Sequence, residues 1–119
     1  MSRAFHKIFE PISIGGVEIR NRVTMAPMGM DYLINPDGGL NQRGIDYFIE
    51  RARGGVGLIV TGFFKVENEV EPLPSGSVPF ISREAIPSLV ELTEAIHALG
   101  AKIFIQLTAG CMSSLQRAW

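Results

Sequence analysis

The chain has 119 residues, enough for one domain of the usual ~100–200 residues and too few for two independent cores. Its 46% hydrophobic and 19% charged residues exclude an intrinsically disordered chain. With 11 Lys and Arg against 12 Asp and Glu the net charge is −1, so no positive field gathers phosphates or anionic lipid, and nucleic acid is not an expected partner.

The longest apolar stretches, around residues 56–60 and 103–105, fall far short of the ~20 residues that span a bilayer, and residues 1–12 lack the apolar core of a signal peptide. The expectation is a soluble, cytoplasmic protein without a membrane partner. The single cysteine, Cys111, has no partner for a disulfide or a metal knuckle and no candidate base nearby. His6 has no neighbour at metal-ligand spacing, so no metal site is expected.

Ile12-Ser13-Ile14 and Val17-Glu18-Ile19 alternate around Gly15-Gly16, the pattern of a tight β-hairpin. Residues 22–26 form a further extended run, which Pro27 ends by removing a ladder donor and restricting the residue before it. Asn35-Pro36-Asp37-Gly38 has the preferences of a type I turn, and residues 30–40 read as an exposed loop in which Asp31 and Tyr32 are solvated. Asn41 then caps a helix whose stripe is Ile45, Phe48, Ile49 and Ala52 and whose stop is Gly54-Gly55.

Residues 56–61 are nearly all apolar, as in a strand covered on both faces. Residues 63–81 carry Pro72, Pro74 and Pro79 with no helical or strand period, and read as a long loop. Pro87 opens a second helix with Leu89, Leu92, Ile96 and Leu99 on one stripe, His97 in its last turn and Gly100 as its stop. Residues 102–107 give another buried-looking strand, after which Thr108-Ala109-Gly110 begins a loop.

Strand, helix, strand, helix, strand is the order of a parallel sheet with crossover helices. Val23, Leu58 and Phe104 mark the strands, 35 and 46 residues apart, which suits βα units of a (β/α)8 barrel. The fold class is therefore α/β: an N-terminal hairpin followed by the first three strands and two helices of a TIM barrel, with residues 1–119 forming its N-terminal portion. Such barrels place chemistry after the C-terminal strand ends, here residues 26–30, 61–64 and 106–110. A doubly wound sheet would show a Gly-rich turn after its first strand, and Met25-Ala26-Pro27-Met28-Gly29 is not one.

Five pieces carry a resemblance, in the same order and on the same βα rhythm: Phe9-Glu10-Pro11-Ile12, Asn21-Arg22-Val23, Met25-Ala26-Pro27-Met28, Ala52-Arg53-Gly54-Gly55-Val56-Gly57-Leu58-Ile59 and Gln106-Leu107. Together they resemble the N-terminal part of the old yellow enzyme family, over residues 8–110. The form Gln106-Leu107-Thr108-Ala109-Gly110 is most similar to the family's 2-enoate, 2,4-dienoyl-CoA and bile-acid flavin reductases.

The resemblance implies FMN at the barrel mouth, with NADH or NADPH as hydride donor and a small molecule with an activated C=C bond as acceptor. It implies that Ala26, Pro27, Met28 and Gly29 hold one side of the flavin, with backbone donors near Met28 and Gly29 toward N5 and the C4 oxygen. It implies that Gln106 reads the C2 oxygen and N3–H with one amide, and that Gly62 and Phe63 offer backbone contacts to the same edge. Relatives often carry Thr or Cys where this chain has Gly29, leaving only backbone there, and they continue after the glutamine with a loop ending in Gly-Arg where this chain reads Gly110-Cys111-Met112. The family's substrate-polarising pair, proton-donating tyrosine and phosphate-binding residues belong to later strands, so the catalytic residues have no counterpart within residues 1–119. Little reductase activity and some self-association through open sheet edges are expected of these residues alone. Two competing readings are a non-catalytic βα module that binds a small ligand or partner, and a truncated product without a stable fold. Met25, Met28 and Met30 also fit a role as core filler.

Overall fold

The computed structural model describes residues 3–29, 32–66, 69, 72 and 78–109. Expectations for Met30, Asp31, the centre of the 63–81 loop, Gly110 and Cys111 lie outside the described residues.

A 3-10 helix, Arg3–Phe9, opens the described chain, where the sequence placed no element before the hairpin, and the Nδ1 of its His6 sits 2.9 Å from Glu10 Oε1. The hairpin follows as β1 (Ile12–Ile14) and β2 (Val17–Ile19), antiparallel. Gly15 (φ 54°) and Gly16 (φ 82°) supply the two positive angles of a turn that matches strand twist.

The second sheet has the order β3-β4-β5, all parallel: β3 (Thr24–Met25), β4 (Leu58–Lys65) and β5 (Lys102–Thr108). Helix α1 (Gln42–Arg53) joins β3 to β4, and α2 (Ile86–Ala98) joins β4 to β5. The sheet is open, and the described residues form no closed barrel. Asn41 caps α1 as its sequence indicates, its Oδ1 accepting from the Gly44 N–H at 3.0 Å. One core cluster joins Phe48, Ile45 and Ala52 of α1 to Leu92 and Ile96 of α2 and to Ile59 and Phe64 of β4, so both helices cover the same sheet face.

Three expectations change. The strand over residues 102–107, expected to be buried, has no buried residue, and Phe104, Gln106 and Leu107 are exposed, because among the described residues β5 is an edge strand. Strand β4 does not end at Thr61 but runs to Lys65, because a β-bulge between Val60 and Phe63 interrupts the alternation by which a strand is recognised. Nor is the 30–40 segment an exposed loop throughout. Its tip is the expected turn, with the Gly38 N–H bonded to Asn35 O at 2.9 Å, but Leu33, Gly38, Gly39 and Leu40 are buried and Ile34 pairs with Leu40 as a small antiparallel bridge.

Arg20, just after the hairpin, ties the assembly together. Its Nη1 donates to Leu99 O at 2.7 Å, and its Nη2 donates to Ala52 O and Val56 O, both at 2.9 Å. One guanidinium thus satisfies carbonyls at the C-terminal ends of both helices, where a cation also meets the negative end of each dipole. Arg20→Ala is expected to cost about 3 kcal/mol, since several charge-assisted bonds are lost and carbonyls are left without their donor. Arg20→Lys should recover less than half of that, because an ammonium lacks the planar fork. Urea unfolding of both variants checks this, and a lysine variant as stable as the parent would contradict it.

Candidate functional site

Because β3, β4 and β5 are parallel, their C-terminal ends lie on one side of the sheet, and with them the segments after Met25, Lys65 and Thr108. Strand β4 lies between the other two, so Pro27, just after β3, and Gln106, within β5, belong to strands that are second neighbours, roughly 10 Å apart at ~4.8 Å per spacing, rather than adjacent ones. Register sets the heights. Met25 is level with Ile59, which is level with Ile103, so Gln106 lies three residues further toward the mouth, the same interval that separates Met28 from Met25.

The face is set by the bulge. Met25, Ile103 and Ile105 pack against the helix-facing core, which by alternation turns Phe104 and Gln106 to the opposite face. On β4, Ile59 and Phe64 both belong to the core although they are five positions apart, and an odd interval on a regular strand would place them on opposite faces. The extra residue opposite Ile105 corrects the parity. Phe63, paired with Gln106, and Lys65, paired with Thr108, therefore share Gln106's face.

The structure places the expected site residues as follows. Ala26, Pro27, Met28 and Gly29 are exposed beyond β3, with Met28 at 51%. Gly62 is buried at the bulge and Phe63 half-buried beyond it, inside β4 rather than at its end. Gln106 is exposed within β5. Among the described residues, neither the Met28 nor the Gly29 N–H has a hydrogen-bond partner, and neither does the Gln106 carboxamide. Two backbone donors and one amide edge thus stand available at the same end of the sheet, an arrangement able to engage a flat heterocycle bearing carbonyl and N–H groups.

Thr61 opens the expected mouth segment 61–64, and its role there comes from the register of β4 against β5. Its side chain is fully buried, and its Oγ1 accepts the Gln106 backbone N–H at 3.2 Å, a bond that the bulge makes geometrically available. A threonine after an apolar run is the only trace of this in the sequence. Lys65 is not among the expected site residues: it is 2% exposed, its N–H bonded to Pro79 O and its carbonyl to the Ile81 N–H, both at 2.9 Å. Thr61→Val keeps the shape of the buried side chain and removes the acceptor, so it should destabilise the protein by about 1–2 kcal/mol and speed exchange of the Gln106 amide. Hydrogen exchange read at single residues checks this, and an unchanged Gln106 amide would contradict it.

The described residues hold no group of three or more His, Cys, Asp or Glu arranged to bind a metal, and no helix long and apolar enough to cross a membrane. A family model for the NADH:flavin oxidoreductase / NADH oxidase family matches residues 7–116. The chain is 48% identical to the cinnamate reductase of Clostridium sporogenes, over 92% of this chain and 17% of that protein. It is 41% identical to the NADH oxidase of Thermoanaerobacter brockii, over 87% of this chain and 16% of that one. The chain therefore spans about a sixth of the length of these relatives. Among solved structures, a 2-naphthoyl-CoA reductase in complex with 2-naphthoyl-CoA superposes with a TM-score of 0.73 at 27% identity, over 88% of this chain and 16% of that one. The old yellow enzyme homologue of Zymomonas mobilis gives 0.71 at 27% identity, over 85% and 27%. The family's members are oxidoreductases that work with FMN and NADH or NADPH. On the match across residues 7–116, this chain belongs to the NADH:flavin oxidoreductase / NADH oxidase family, the family of the old yellow enzymes.

Proposed function

We propose that residues 1–119 form the opening part of an FMN-binding (β/α)8 barrel whose enzyme moves hydride from NADH or NADPH to an activated C=C bond of a small molecule. The observation that carries this reading is the mouth of the sheet, where the Met28 and Gly29 N–H groups, unpartnered among the described residues, lie beyond the end of β3 and the exposed Gln106 amide lies near the end of the parallel strand β5. These groups fit FMN. The two N–H donors would serve the N5 and C4-oxygen side, and the Gln106 amide, with one acceptor and two donors, would pair with the C2 oxygen and N3–H. Ala26 and Pro27 would set the backbone against the ring, while Gly62 and Phe63 would lie along the pyrimidine edge.

Bound FMN supplies a two-electron carrier between nicotinamide and alkene. This chain's residues contribute orientation and hydrogen bonds that favour electron density on the pyrimidine. With glycine at position 29, the donor beside the C4 oxygen is backbone alone. The likeness to a cinnamate reductase supports an α,β-unsaturated carboxylate or related carbonyl compound as acceptor.

Titration of FMN, followed by quenching of its fluorescence, tests the reading. Gln106→Leu removes the whole amide and should raise the dissociation constant about tenfold, the equivalent of ~1.4 kcal/mol. Equal affinity of variant and parent would refute the assignment of Gln106.

A polypeptide of these 119 residues alone should oxidise NAD(P)H slowly, since none of its residues matches the family's substrate-polarising pair or proton donor. It should also self-associate, because β5 is an edge strand among the described residues and its Leu107 is 59% exposed. Sedimentation velocity and NAD(P)H oxidation with added FMN check both expectations; a concentration-independent monomer with rates like those of a full-length relative would contradict them.

A further inference from the structure

Strand β3 pairs with β4 over only two positions, Thr24↔Leu58 and Met25↔Ile59. Beyond them that side of β4 has no β3 partner, and at Lys65 it is taken by residues 79–81. The Lys65 N–H donates to Pro79 O, the Ile81 N–H donates to Lys65 O, and Phe80 bridges Lys65 in parallel. Phe80 in turn donates its N–H to Gly38 O at 3.0 Å. On the far side of β4, the Val66 N–H donates to Thr108 O at 3.0 Å. A hydrogen-bonded row therefore crosses the mouth from Gly38 through Phe80 and Lys65 to the end of β5. It links the segments that follow β3 and β4 to the last residue of β5.

Residues 32–41 of the first of these segments are closed on themselves by hydrogen bonds. Between Tyr32 and Asn41 it folds as a miniature hairpin: the Asn35 N–H donates to Gly39 O at 2.7 Å, the Asn41 N–H to Leu33 O at 2.9 Å, and Asn41 Nδ2 to Tyr32 O at 3.3 Å. Its tip docks through Gly38 and Gly39. Gly38 has φ +90°, and a Cβ there would lie 2.7 Å from Phe80 Cβ and 3.1 Å from its N. At Gly39 a Cβ would lie 2.8 Å from Ser88 Oγ, the atom that accepts the Leu40 N–H at 3.1 Å. The turn needs a glycine for its angle, and the docking needs one for its space.

We infer that the Gly38–Phe80 seam is a positioning device for the site, holding the segment that carries Met28 and Gly29 in register with Gln106 across β4. Phe80 acts through the backbone it anchors. The consequence for flavin binding rests on the reading given under Proposed function; the coupling between segments does not.

The test uses Gly38→Ala, with Gly55→Ala as control. Gly55 has φ +100° but nothing within 4 Å of a built Cβ, so the control carries similar backbone strain without touching the seam. Amide chemical shifts of the full chain give the first readout. Gly38→Ala should move Phe80, Ile81 and Lys65 and, with them, Met28 and Gly29, while Gly55→Ala leaves these five in place. Shifts confined to residues 36–41 would overturn the inference. FMN titration gives the second readout. If the seam keeps the competent arrangement populated and the variant cuts that population to about a tenth, the dissociation constant rises about tenfold, and an unchanged constant would overturn the seam's role at the site. A parent chain that does not bind FMN would defeat the flavin reading, while the chemical shifts would still decide the coupling.

Discussion

The parity of β4 governs everything at the mouth. A strand presents alternate residues to opposite faces, so the apolar run 58–64 cannot send both Ile59 and Phe64 to the helices unless one residue is inserted between them. The bulge between Val60 and Phe63 is that insertion. It gives the core a second large side chain beneath the helices, and burying a phenylalanine of this kind is worth ~1.5–3 kcal/mol. The same insertion turns Phe63 and Lys65 toward Gln106's face and brings the Thr61 hydroxyl under the Gln106 N–H. Packing on one face and the candidate site on the other thus follow from one irregularity, which is where bulges tend to occur in sheets that carry sites.

The opposite end of the sheet is held by different means. There the helices terminate, and their last carbonyls need donors. Arg20 serves Ala52 and Leu99 at once, and Asn21 Nδ2 donates to Gly55 O at 2.8 Å while its Oδ1 accepts the Val23 N–H at 3.1 Å. Two consecutive residues after the hairpin therefore close both helix ends and start β3. Arg20 Nε, buried and without a partner among the described residues, marks the cost of this arrangement: the two terminal nitrogens are aimed at three carbonyls and Nε is left over.

Much of this was legible in the chain because local chemistry and tertiary structure agree. Gly15-Gly16, Asn41, Gly54-Gly55 and Asn35-Pro36-Asp37-Gly38 each sit where their backbone preferences indicate, and the apolar stripes of both helices face the core, with Ile45, Phe48, Ala52, Leu92 and Ile96 buried and Ile49, Leu89 and Leu99 partly so. What escaped depends on contacts distant in sequence. A bulge erases the period-2 signal, so Phe63-Phe64-Lys65 reads as loop although it is strand. Residues 38–40 look solvated because turn residues dominate the segment, yet Gly38 lies against Phe80 and Gly39 and Leu40 lie against Ser88, more than 40 positions away. The site showed the same split. Gln106 and residues 26–29 stand out through their resemblance to a family, whereas Thr61 and Lys65 acquire meaning only once the register of β4 against β5 is known.

Pro27 joins these two halves. A longer β3 would have paired with β4 up to the bulge, and its N–H groups would have entered the ladder. Proline lacks the donor and biases the residue before it toward extended backbone, so pairing stops at Met25. Stopping there has two effects that must occur together. Among the described residues the Met28 and Gly29 N–H groups are left without partners, which is the condition for offering them to a ligand. The flank of β4 beyond Ile59 loses its neighbour, and its polar groups at Lys65 are satisfied by residues 79–81, which in turn need Gly38 close by. A binding edge made by ending a strand early therefore requires another segment to complete the sheet above it, and in this chain the completing segment is also what clasps the loop that the strand has become.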